Sequence, residues 1–309
     1  DWRRLNEMEA DGEERPMSKI AVIAHAGKTF GGGLLELRRE LERQGIEDPF
    51  WREVPKSKAA PREVRRALDD GAELIFVWGG DGTVQRCLDA VAGSDAALAI
   101  LPAGTANLFA TNLEIPQDIE RGVAIGLDGE RRRLDVGRFN GERFGVMAGA
   151  GFDASMIREA DGGLKDRFGR VAYVWTGSKS LRTKPFRAKI AIDGTSWYSG
   201  AASCILVGNV GRLFGGVEVF QEARPDDGRL EIGVVNADGI TDWVRTLART
   251  AVGQPDKSPL VRATSAKKIK VELDRKVLYE IDGGARVKVK RFKVEVEPKA
   301  VTVCVPRRA

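Results

Sequence analysis

Short hydrophobic runs alternate with amphipathic stretches through the first part of the chain. Runs without period-two alternation are typical of strands that are buried on both faces of a parallel sheet. Such runs occupy Lys19–Ala24, Leu74–Trp78 and Ala97–Leu101, and a further strand is expected at Glu47–Val54. Stretches with helical spacing separate them, at Leu34–Gln44, Pro61–Asp70 and Val84–Val91. The alternation up to about Leu127 predicts a doubly wound, right-handed parallel sheet with helices on both faces.

The pattern changes near Arg131, beyond which β-type runs dominate the chain. Asn140-Gly141 lies between the first two of them and strongly indicates a tight hairpin turn. The expected strands are Arg133–Phe139, Arg143–Met147, Ala188–Ile192, Ala201–Val207, Leu230–Val235, Ile269–Leu273, Val277–Ile281, Val287–Val296 and Val301–Val305. Two helices, Arg167–Arg182 and Thr241–Val252, are expected among them. The second half is therefore predicted to be a largely antiparallel β-sandwich or barrel.

These patterns divide the 309 residues into three parts. Residues 1–16 are mostly charged and are expected to form a mobile arm. Residues 17–130 form the α/β domain and residues 131–309 the β-rich domain, whose last strand could return to the first domain. No apolar run is long enough to span a membrane, and no signal peptide opens the chain, so a cytoplasmic protein is expected.

Composition narrows the chemistry only slightly. A net charge of +5 suits anionic partners such as nucleotide phosphates or an acidic membrane surface, but it selects none of them. Three separated cysteines form neither a disulfide framework nor a metal-spaced cluster. With a single histidine, His25, the chain has no histidine-rich metal site, and a catalytic Ser-His-Asp triad is not expected. No motif that interleaves aromatic and basic residues for nucleic acid is present.

The most informative stretch is Gly79-Gly-Asp-Gly-Thr83, which follows the apolar run Leu74–Trp78 directly. Glycines let the backbone lie flat against a ligand, and the N–H groups that open the next helix favour an anion. Asp81 in such a phosphate cradle suggests that a cation, Mg²⁺, stands between its carboxylate and the phosphates. The alternative is an ordinary turn between strand and helix, with Asp81 as N-cap.

Two further loops support a phosphate site. Gly27 and Lys28 follow the first strand, although Val22 stands where a P-loop needs its first glycine, so the P-loop is rejected. Gly104, Thr105 and Asn107 follow the strand Ala97–Leu101. The carboxyl ends of neighbouring parallel strands bind ligands at one edge of the sheet. Thr105 and Asn107 are expected to contact a nucleotide there, or alternatively to cap the following helix.

The assembled motifs resemble the diacylglycerol kinase catalytic family, in particular its soluble bacterial lipid kinases. The resemblance covers nearly all of Lys19 to Pro306. The motifs that carry it are Gly79–Thr83, Leu98–Ala110, Asp135–Gly137 with Gly149–Ala154, Glu222–Leu230 and Ile281–Gly283. It implies an ATP-dependent kinase for a lipid hydroxyl, with its site between a nucleotide-binding α/β domain and a β-rich lipid-substrate domain. The lipid would be presented from a membrane surface, with only peripheral contact by the protein, and a homodimer is left open.

The resemblance also implies roles for individual residues. Asp227 matches an aspartate that binds a structural Mg²⁺, with backbone carbonyls near Arg224 and Arg229. Asp282 lies in the motif that supplies the catalytic base, and Asp81 is the second catalytic candidate; a hairpin-turn aspartate is the alternative for Asp282. The candidate nucleotide-binding residues are Gly27, Lys28, Gly79, Gly80, Asp81, Gly82, Thr83, Gln85, Gly104, Thr105 and Asn107.

Three departures from the family pattern bear on these roles. The first loop has His25-Ala26 in place of the usual Asn-Pro, and Leu108 stands where an aspartate is common. Gly284 replaces the glutamate that supplies the family's base. Two rival interpretations therefore stay open: a kinase of the NAD kinase type with a soluble acceptor, and a nucleotide- or lipid-binding module with weak or no catalysis.

Overall fold

A computed structural model describes residues 19–151, 185–213, 217–237 and 260–307. The predicted arm and the helices expected at Arg167–Arg182 and Thr241–Val252 lie outside these residues. The described helices are α1 (Gly33–Arg43), α2 (Ala60–Asp69), α3 (Asp81–Val91), α4 (Leu108–Asn112) and α5 (Ile119–Asp128). None of them combines the length and apolar character needed to cross a bilayer.

The strands begin with β1 (Ile20–His25), β2 (Phe50–Val54), β3 (Leu74–Gly79) and β4 (Ala97–Pro102). The next are β5 (Glu130–Phe139), β6 (Glu142–Phe144), β7 (Met147–Ala150), β8 (Phe186–Ile192), β9 (Thr195–Ala202) and β10 (Cys204–Gly208). The short strands β11 (Arg212–Leu213) and β12 (Val217–Glu218) form a pair of their own. The last are β13 (Leu230–Val235), β14 (Val261–Ala266), β15 (Lys268–Ile281) and β16 (Gly284–Val305).

The first four strands form a parallel sheet in the order β2-β1-β3-β4, which confirms the predicted α/β fold. Alternate side chains of β3 enter different cores, as they must when both faces of a sheet are covered. Ile75 packs in the core that contains Val64 of α2 and Leu88 of α3. Phe76 packs in the core that contains Leu37 of α1 and Val123 of α5. The sheet is therefore doubly wound.

The long strand β16 joins the β-rich half to the parallel sheet. It pairs antiparallel with β15 and β5, and its end runs parallel to β4, with Thr302 opposite Ala97. The register shifts between Glu297 and Val301, where Lys299 has a φ of 51°. The two runs predicted as separate strands are therefore one strand with an irregularity, which carries the chain from one half into the other.

Other parts of the β-rich half differ from the expected strands in detail. The run expected at Ala201–Val207 is divided between β9 and β10, and the two runs after Lys268 are joined in β15 across a register shift. Strand β14 was not among the expected strands. The Asn140-Gly141 hairpin turn is confirmed, because both residues have the positive φ, 48° and 100°, that such a turn needs.

Gly126 in α5 tests how tightly the helices pack on the parallel sheet. Glycine to alanine in a helix interior normally stabilises by about 1 kcal/mol. A Cβ on Gly126, however, would stand 2.2 Å from Cε1 of the buried Phe76 and 2.9 Å from the Cβ of Ala99. Overpacking of this kind costs about 1–3 kcal/mol. Gly126→Ala is therefore expected to lower the free energy of unfolding in urea.

Gly82→Ala in α3 is the matched control, because the nearest atom to its added Cβ is 4.0 Å away. Its stability should stay the same or rise slightly. If Gly126→Ala were more stable than the wild type, α5 would have to pack less closely on β3 than the structure shows.

Candidate active site

The turns that follow β3 and β4 touch each other at the carboxyl edge of the parallel sheet. A Cβ on Gly104 would stand 2.6 Å from the Cα of Gly80, so side chains at this point would force the two turns apart. The backbone N–H of Ala103 donates to the carbonyl of Gly79 at 2.9 Å. The structure thus brings together the two glycine motifs that the sequence analysis singled out, with the N-terminus of α3 between them.

Asp81 makes a contact that the sequence did not predict, while its role at a cation stays a prediction. Helix α3 begins at Asp81, three residues earlier than the predicted start at Val84, and Gly80 is its N-cap. The Asp81 carboxylate accepts a hydrogen bond of 2.6 Å from the backbone N–H of Leu108, at the start of α4. Burial raises the pKa of this carboxyl, although N–H groups of α4 oppose the rise. Asp81 therefore ties the first turn to the second.

Asn107 holds the second turn in shape. It has a positive φ of 48°, its Oδ1 accepts from Gly104 N–H and its Nδ2 donates to the Gly104 carbonyl, both at 2.8 Å. The side chain makes no capping bond to α4. Thr105 is exposed beside it. Because Asn107 is buried and already paired, its direct contact with a nucleotide stays a prediction, while Thr105 is open to a ligand.

The loop after β1 is fixed against the same edge of the sheet. Trp78 of β3 donates its indole N–H to the carbonyl of Lys28 at 2.8 Å, and Phe30 stacks on its ring with centroids 4.5 Å apart. His25 accepts from the N–H of Gly27 at 3.1 Å and so helps to shape this loop. Gly27 and Lys28 consequently lie next to the turn after β3.

Thr83 and Gln85 are the predicted phosphate-loop residues that face inward. Thr83 is buried and packs against Gly79: a Cβ added to Gly79 would stand 2.6 Å from the Cβ of Thr83. Gln85 is buried and donates to the carbonyl of Arg143 at 2.7 Å. Their side chains therefore fix α3 against its surroundings, and their nucleotide contacts stay predictions.

Asp282 lies across from Asp81, on the β-rich half. It forms the two-residue turn between β15 and β16 with Gly283, and the two residues have φ values of 44° and 73°. The carboxylate is buried and accepts three backbone hydrogen bonds, from Gly145 at 2.9 Å, Val146 at 3.0 Å and Met147 at 2.8 Å. The hairpin-turn position is thus observed, and the role as base stays a prediction.

Burial and charge shift the titration of Asp282 into the neutral range. Burial raises its pKa to about 7, against the effect of the three N–H donors, and the negative charge of Asp81 adds to the rise. Gly145 links the two carboxylates: its N–H binds Asp282, and a Cβ on it would stand 3.1 Å from the ring of Phe109, next to the Leu108 N–H that binds Asp81. The two catalytic candidates are therefore brought together from the two halves of the chain.

The sequence analysis missed Asn209, which lies behind Asp282. This buried residue donates from Nδ2 to the carbonyls of Asp135 and Gly145, at 2.9 and 3.0 Å, and from its backbone N–H to Val146. It thereby supports the segment whose N–H groups hold Asp282. Among the described residues, its Oδ1 is the one buried side-chain oxygen or nitrogen without a partner. The available signal was an asparagine directly after the apolar run of β10.

The proposed metal residues lie in the loop 224–229, which Asp135 anchors. The buried Asp135 carboxylate accepts from the N–H groups of Gly228 at 2.6 Å and Lys299 at 2.8 Å. Asp227 is exposed, and its Oδ1 accepts from the N–H of Arg229 at 2.9 Å. Over the described ranges, no three His, Cys, Asp or Glu side chains are grouped as metal ligands. A cage made of protein side chains alone is therefore not formed here.

Solved structures of two kinases share the fold of this chain. The chain superposes on a diacylglycerol kinase from Bacillus anthracis str. Sterne with a TM-score of 0.72 and 21% identity, covering 93% of this chain and 97% of that one. An NAD kinase from Archaeoglobus fulgidus, solved in complex with ATP, gives a TM-score of 0.52 at 12% identity, covering 92% and 93%. These identities show a shared fold only.

The sequence comparisons are more specific. Residues 19–139 match the diacylglycerol kinase catalytic domain, and residues 146–305 match the YegS C-terminal NAD kinase beta sandwich-like domain. A protein of Klebsiella pneumoniae (strain 342), named "Probable lipid kinase YegS-like", is 30% identical over 80% of this chain and 82% of its own length. The diacylglycerol kinase of Staphylococcus carnosus (strain TM300) is 26% identical over 87% and 89%. The chain belongs to the diacylglycerol kinase-like family of YegS-type lipid kinases.

The raised pKa of Asp282 predicts how stability depends on pH. A carboxyl whose pKa is higher in the folded than in the unfolded protein stabilises the fold at low pH, where it is protonated in both states. That contribution is lost as the pH rises from about 4 to about 7, at no more than about 1.4 kcal/mol per pH unit. The stability advantage of the wild type over Asp282→Asn should therefore shrink across this interval and then stay constant.

Urea denaturation of both proteins at a series of pH values measures this difference. A difference that stays constant from pH 4 to 7 would show that Asp282 titrates near its ordinary value.

Proposed function

We propose that the protein transfers the γ-phosphoryl group of ATP to the hydroxyl of a lipid, and that the two glycine turns hold the phosphates. The observation that carries this proposal is the contact of Gly80 with Gly104, which sets two loops of backbone N–H groups side by side at one helix N-terminus. Phosphoryl transfer needs positioning and charge neutralisation more than covalent chemistry from the protein. A cradle of backbone amides supplies the positioning.

Cations around the cradle support the same assignment. Lys28 is half-buried in the fixed loop after β1. Ser57 Oγ lies 4.0 Å from where a Cβ on Gly82 would stand, so the segment after β2 approaches the first turn of α3. Lys56 and Lys58 flank Ser57. We assign the three lysines to the phosphate end of the site, where their positive charge would offset the negative charge of the triphosphate.

Magnesium fits this site only as an ion shared with the nucleotide. Mg²⁺ in kinases is usually held by one or two carboxylates together with the phosphates and water. Asp81 meets that need, since it is only partly buried and the hydrogen bond from Leu108 engages Oδ1. Asp227, with carbonyls of Arg224 and Arg229, would hold a second, structural ion. When bound, Mg²⁺ neutralises charge on the phosphates.

Asp282 is proposed to accept the proton of the lipid hydroxyl. Its Oδ2 accepts one N–H bond and its Oδ1 accepts two, so Oδ2 has the free lone pair for an incoming proton. A pKa of about 7 suits a general base that works near neutral pH. Gly284 leaves no second carboxylate in this turn, so Asp282 acts without the family's glutamate.

The acceptor is proposed to be a diacylglycerol or a related lipid alcohol presented at a membrane surface. The names of the Klebsiella and Staphylococcus relatives support a lipid acceptor over NAD. Three buried free thiols suit a reducing cytoplasm, from which the protein would make peripheral contact with the bilayer. A role in phospholipid synthesis follows from this chemistry, and the homodimer stays a prediction.

Gly104→Ala should weaken nucleotide binding at least tenfold. The new methyl group would stand 2.6 Å from the Gly80 Cα and 2.7 Å from Asn107 Oδ1, so the two turns must separate. Isothermal titration with a non-hydrolysable ATP analogue and magnesium measures the loss. Gly200→Ala, in the distant strand β9, is the control and should bind normally. Unchanged affinity in Gly104→Ala would remove the second turn from the nucleotide site.

Asp81→Asn and Asp282→Asn test the catalytic pair. Each keeps side-chain size but removes a charge, so we expect at least a hundredfold loss in turnover of radiolabelled ATP with detergent-dispersed diacylglycerol, while the circular dichroism spectrum is retained. Activity of the wild type should rise with pH up to about 7 as Asp282 ionises.

Three results would contradict the assignment. Full activity of Asp282→Asn would place the base elsewhere. ATP binding without phosphorylation of any lipid would favour a binding module that has lost catalysis. Phosphorylation of NAD in a parallel assay, with no lipid product, would favour the NAD kinase interpretation.

A further inference from the structure

The positive charge of the chain is concentrated on three strands. Strands β8, β15 and β16 contain 12 lysines and arginines and five acidic residues, a surplus larger than the +5 of the whole chain. The remainder of the sequence therefore carries a small net negative charge. The mild basicity noted in the composition is a local property of these strands and not an even coating of the surface.

The strand register places much of this charge on a single face. Glu272 in β15 is opposite Lys189 of β8 on one side and Arg291 of β16 on the other. Lys270, two residues away, is opposite Lys293. All five side chains are exposed, whereas the intervening row of Ile190, Val271 and Phe292 is buried. With Arg187 and Lys268 these cations form what we term the basic face: Arg187, Lys189, Lys268, Lys270, Arg291 and Lys293.

The acidic residues on this face are too few to neutralise it. Glu295 pairs with Lys268 and Lys293, and Glu272 lies 3.6 Å from Arg291. Lys270 is directly opposite Lys293, and like charges in that position destabilise a sheet. Lysines often protect exposed sheet edges from aggregation, but β15 is paired on both sides here, with β8 and β16. Edge protection therefore does not account for Lys270.

The hairpin of β15 and β16 leads from this face to Asp282. Beyond the register shift in β15 it carries three more exposed cations, Lys276, Lys288 and Lys290. Val287, next to Lys288 in the sequence, is a large hydrophobic side chain that is 70% exposed. The Asp282-Gly283 turn closes this same hairpin. A surface that engages the hairpin would consequently orient the proposed base as well.

We propose that the basic face docks the protein onto an anionic lipid bilayer. Three neighbouring strands about 4.8 Å apart form an extended strip of charge, which suits a plane of headgroups better than a single small anion. Lysines reach such a plane with their ammonium groups while their stems cover the sheet. The registered rows of this face contain no aromatic side chain of the kind that stacks nucleic-acid bases. The proposal rests on the proposed function, since it names the membrane surface from which the acceptor would come.

The test compares two triple variants of equal charge. Arg187→Gln with Lys189→Gln and Lys270→Gln removes three cations from the basic face. Arg39→Gln with Arg65→Gln and Arg121→Gln removes three exposed cations from helices α1, α2 and α5. Binding is measured by co-sedimentation with vesicles of phosphatidylcholine, alone or mixed equally with phosphatidylglycerol. Kinase activity is measured on diacylglycerol in the same vesicles and in a non-ionic detergent.

We expect the wild type and the helix variant to bind the anionic vesicles and not the neutral ones. Each cation near an anionic surface contributes about fivefold in partitioning, so the basic-face variant should bind on the order of 100-fold more weakly. Its activity in detergent should equal that of the wild type. Its melting temperature should change little, because the Lys270–Lys293 repulsion and the opposite-charge pair of Lys189 with Glu272 are lost together.

The outcomes separate the docking proposal from the kinase proposal. Equal binding of the basic-face variant, or an equal loss in the helix variant, would overturn the docking surface while leaving the kinase assignment intact. Wild-type protein that binds duplex DNA but not anionic vesicles would also overturn it. Absence of lipid phosphorylation by the wild type in detergent would sink the kinase proposal, while the vesicle-binding result would still decide whether the basic face binds a bilayer.

Discussion

The site depends on the close approach of two backbones, Gly80 and Gly104, at the ends of adjacent parallel strands. The two turns touch because both residues are glycine. A side chain at either position would push the turns apart. Asp81 then reaches across and caps the N-terminus of α4, while Asn107 locks the Gly104 backbone. The geometry of the proposed phosphate cradle is thus set by contacts between loops and not by either loop alone.

This arrangement forces carboxylates into poorly solvated positions. Burying a charged group costs free energy unless hydrogen bonds replace water, and both Asp81 and Asp282 receive backbone N–H groups in compensation. The compensation is incomplete, because burial still raises the pKa of each of them. Two acids with raised pKa values, placed near one another from different halves of the chain, mark a candidate functional site. Strand β16 pairs with strands of both halves and so fixes the position of one half relative to the other.

The sequence predicted the features that depend on local pattern. The parallel strands, the hairpin turn at Asn140-Gly141 and the position of the two glycine turns follow from hydrophobic periods and from residues that tolerate positive φ. The candidate site was found because glycines and an acid directly follow buried strands. Its family was recognisable from five motifs in a fixed order, although none of them alone would have been specific enough.

The remaining features depend on contacts between residues far apart in the chain. Asp282 is held by the N–H groups of Gly145, Val146 and Met147, which are 135 to 137 residues earlier, and no local pattern encodes that pairing. The position of Asn209 behind them is equally non-local. The basic face could not be predicted because its charges come from three strands, and only their register shows that the side chains share a side. The helices expected at Arg167–Arg182 and Thr241–Val252 stay predictions.

Hydrogen exchange of the backbone amides, with and without a non-hydrolysable ATP analogue and magnesium, decides whether the two turns bind one nucleotide. We expect the segments Gly79–Thr83 and Ala103–Leu108 to gain protection together, since both are proposed to hold the same phosphates. Protection confined to one of the two segments, or found only elsewhere in the chain, would contradict this expectation.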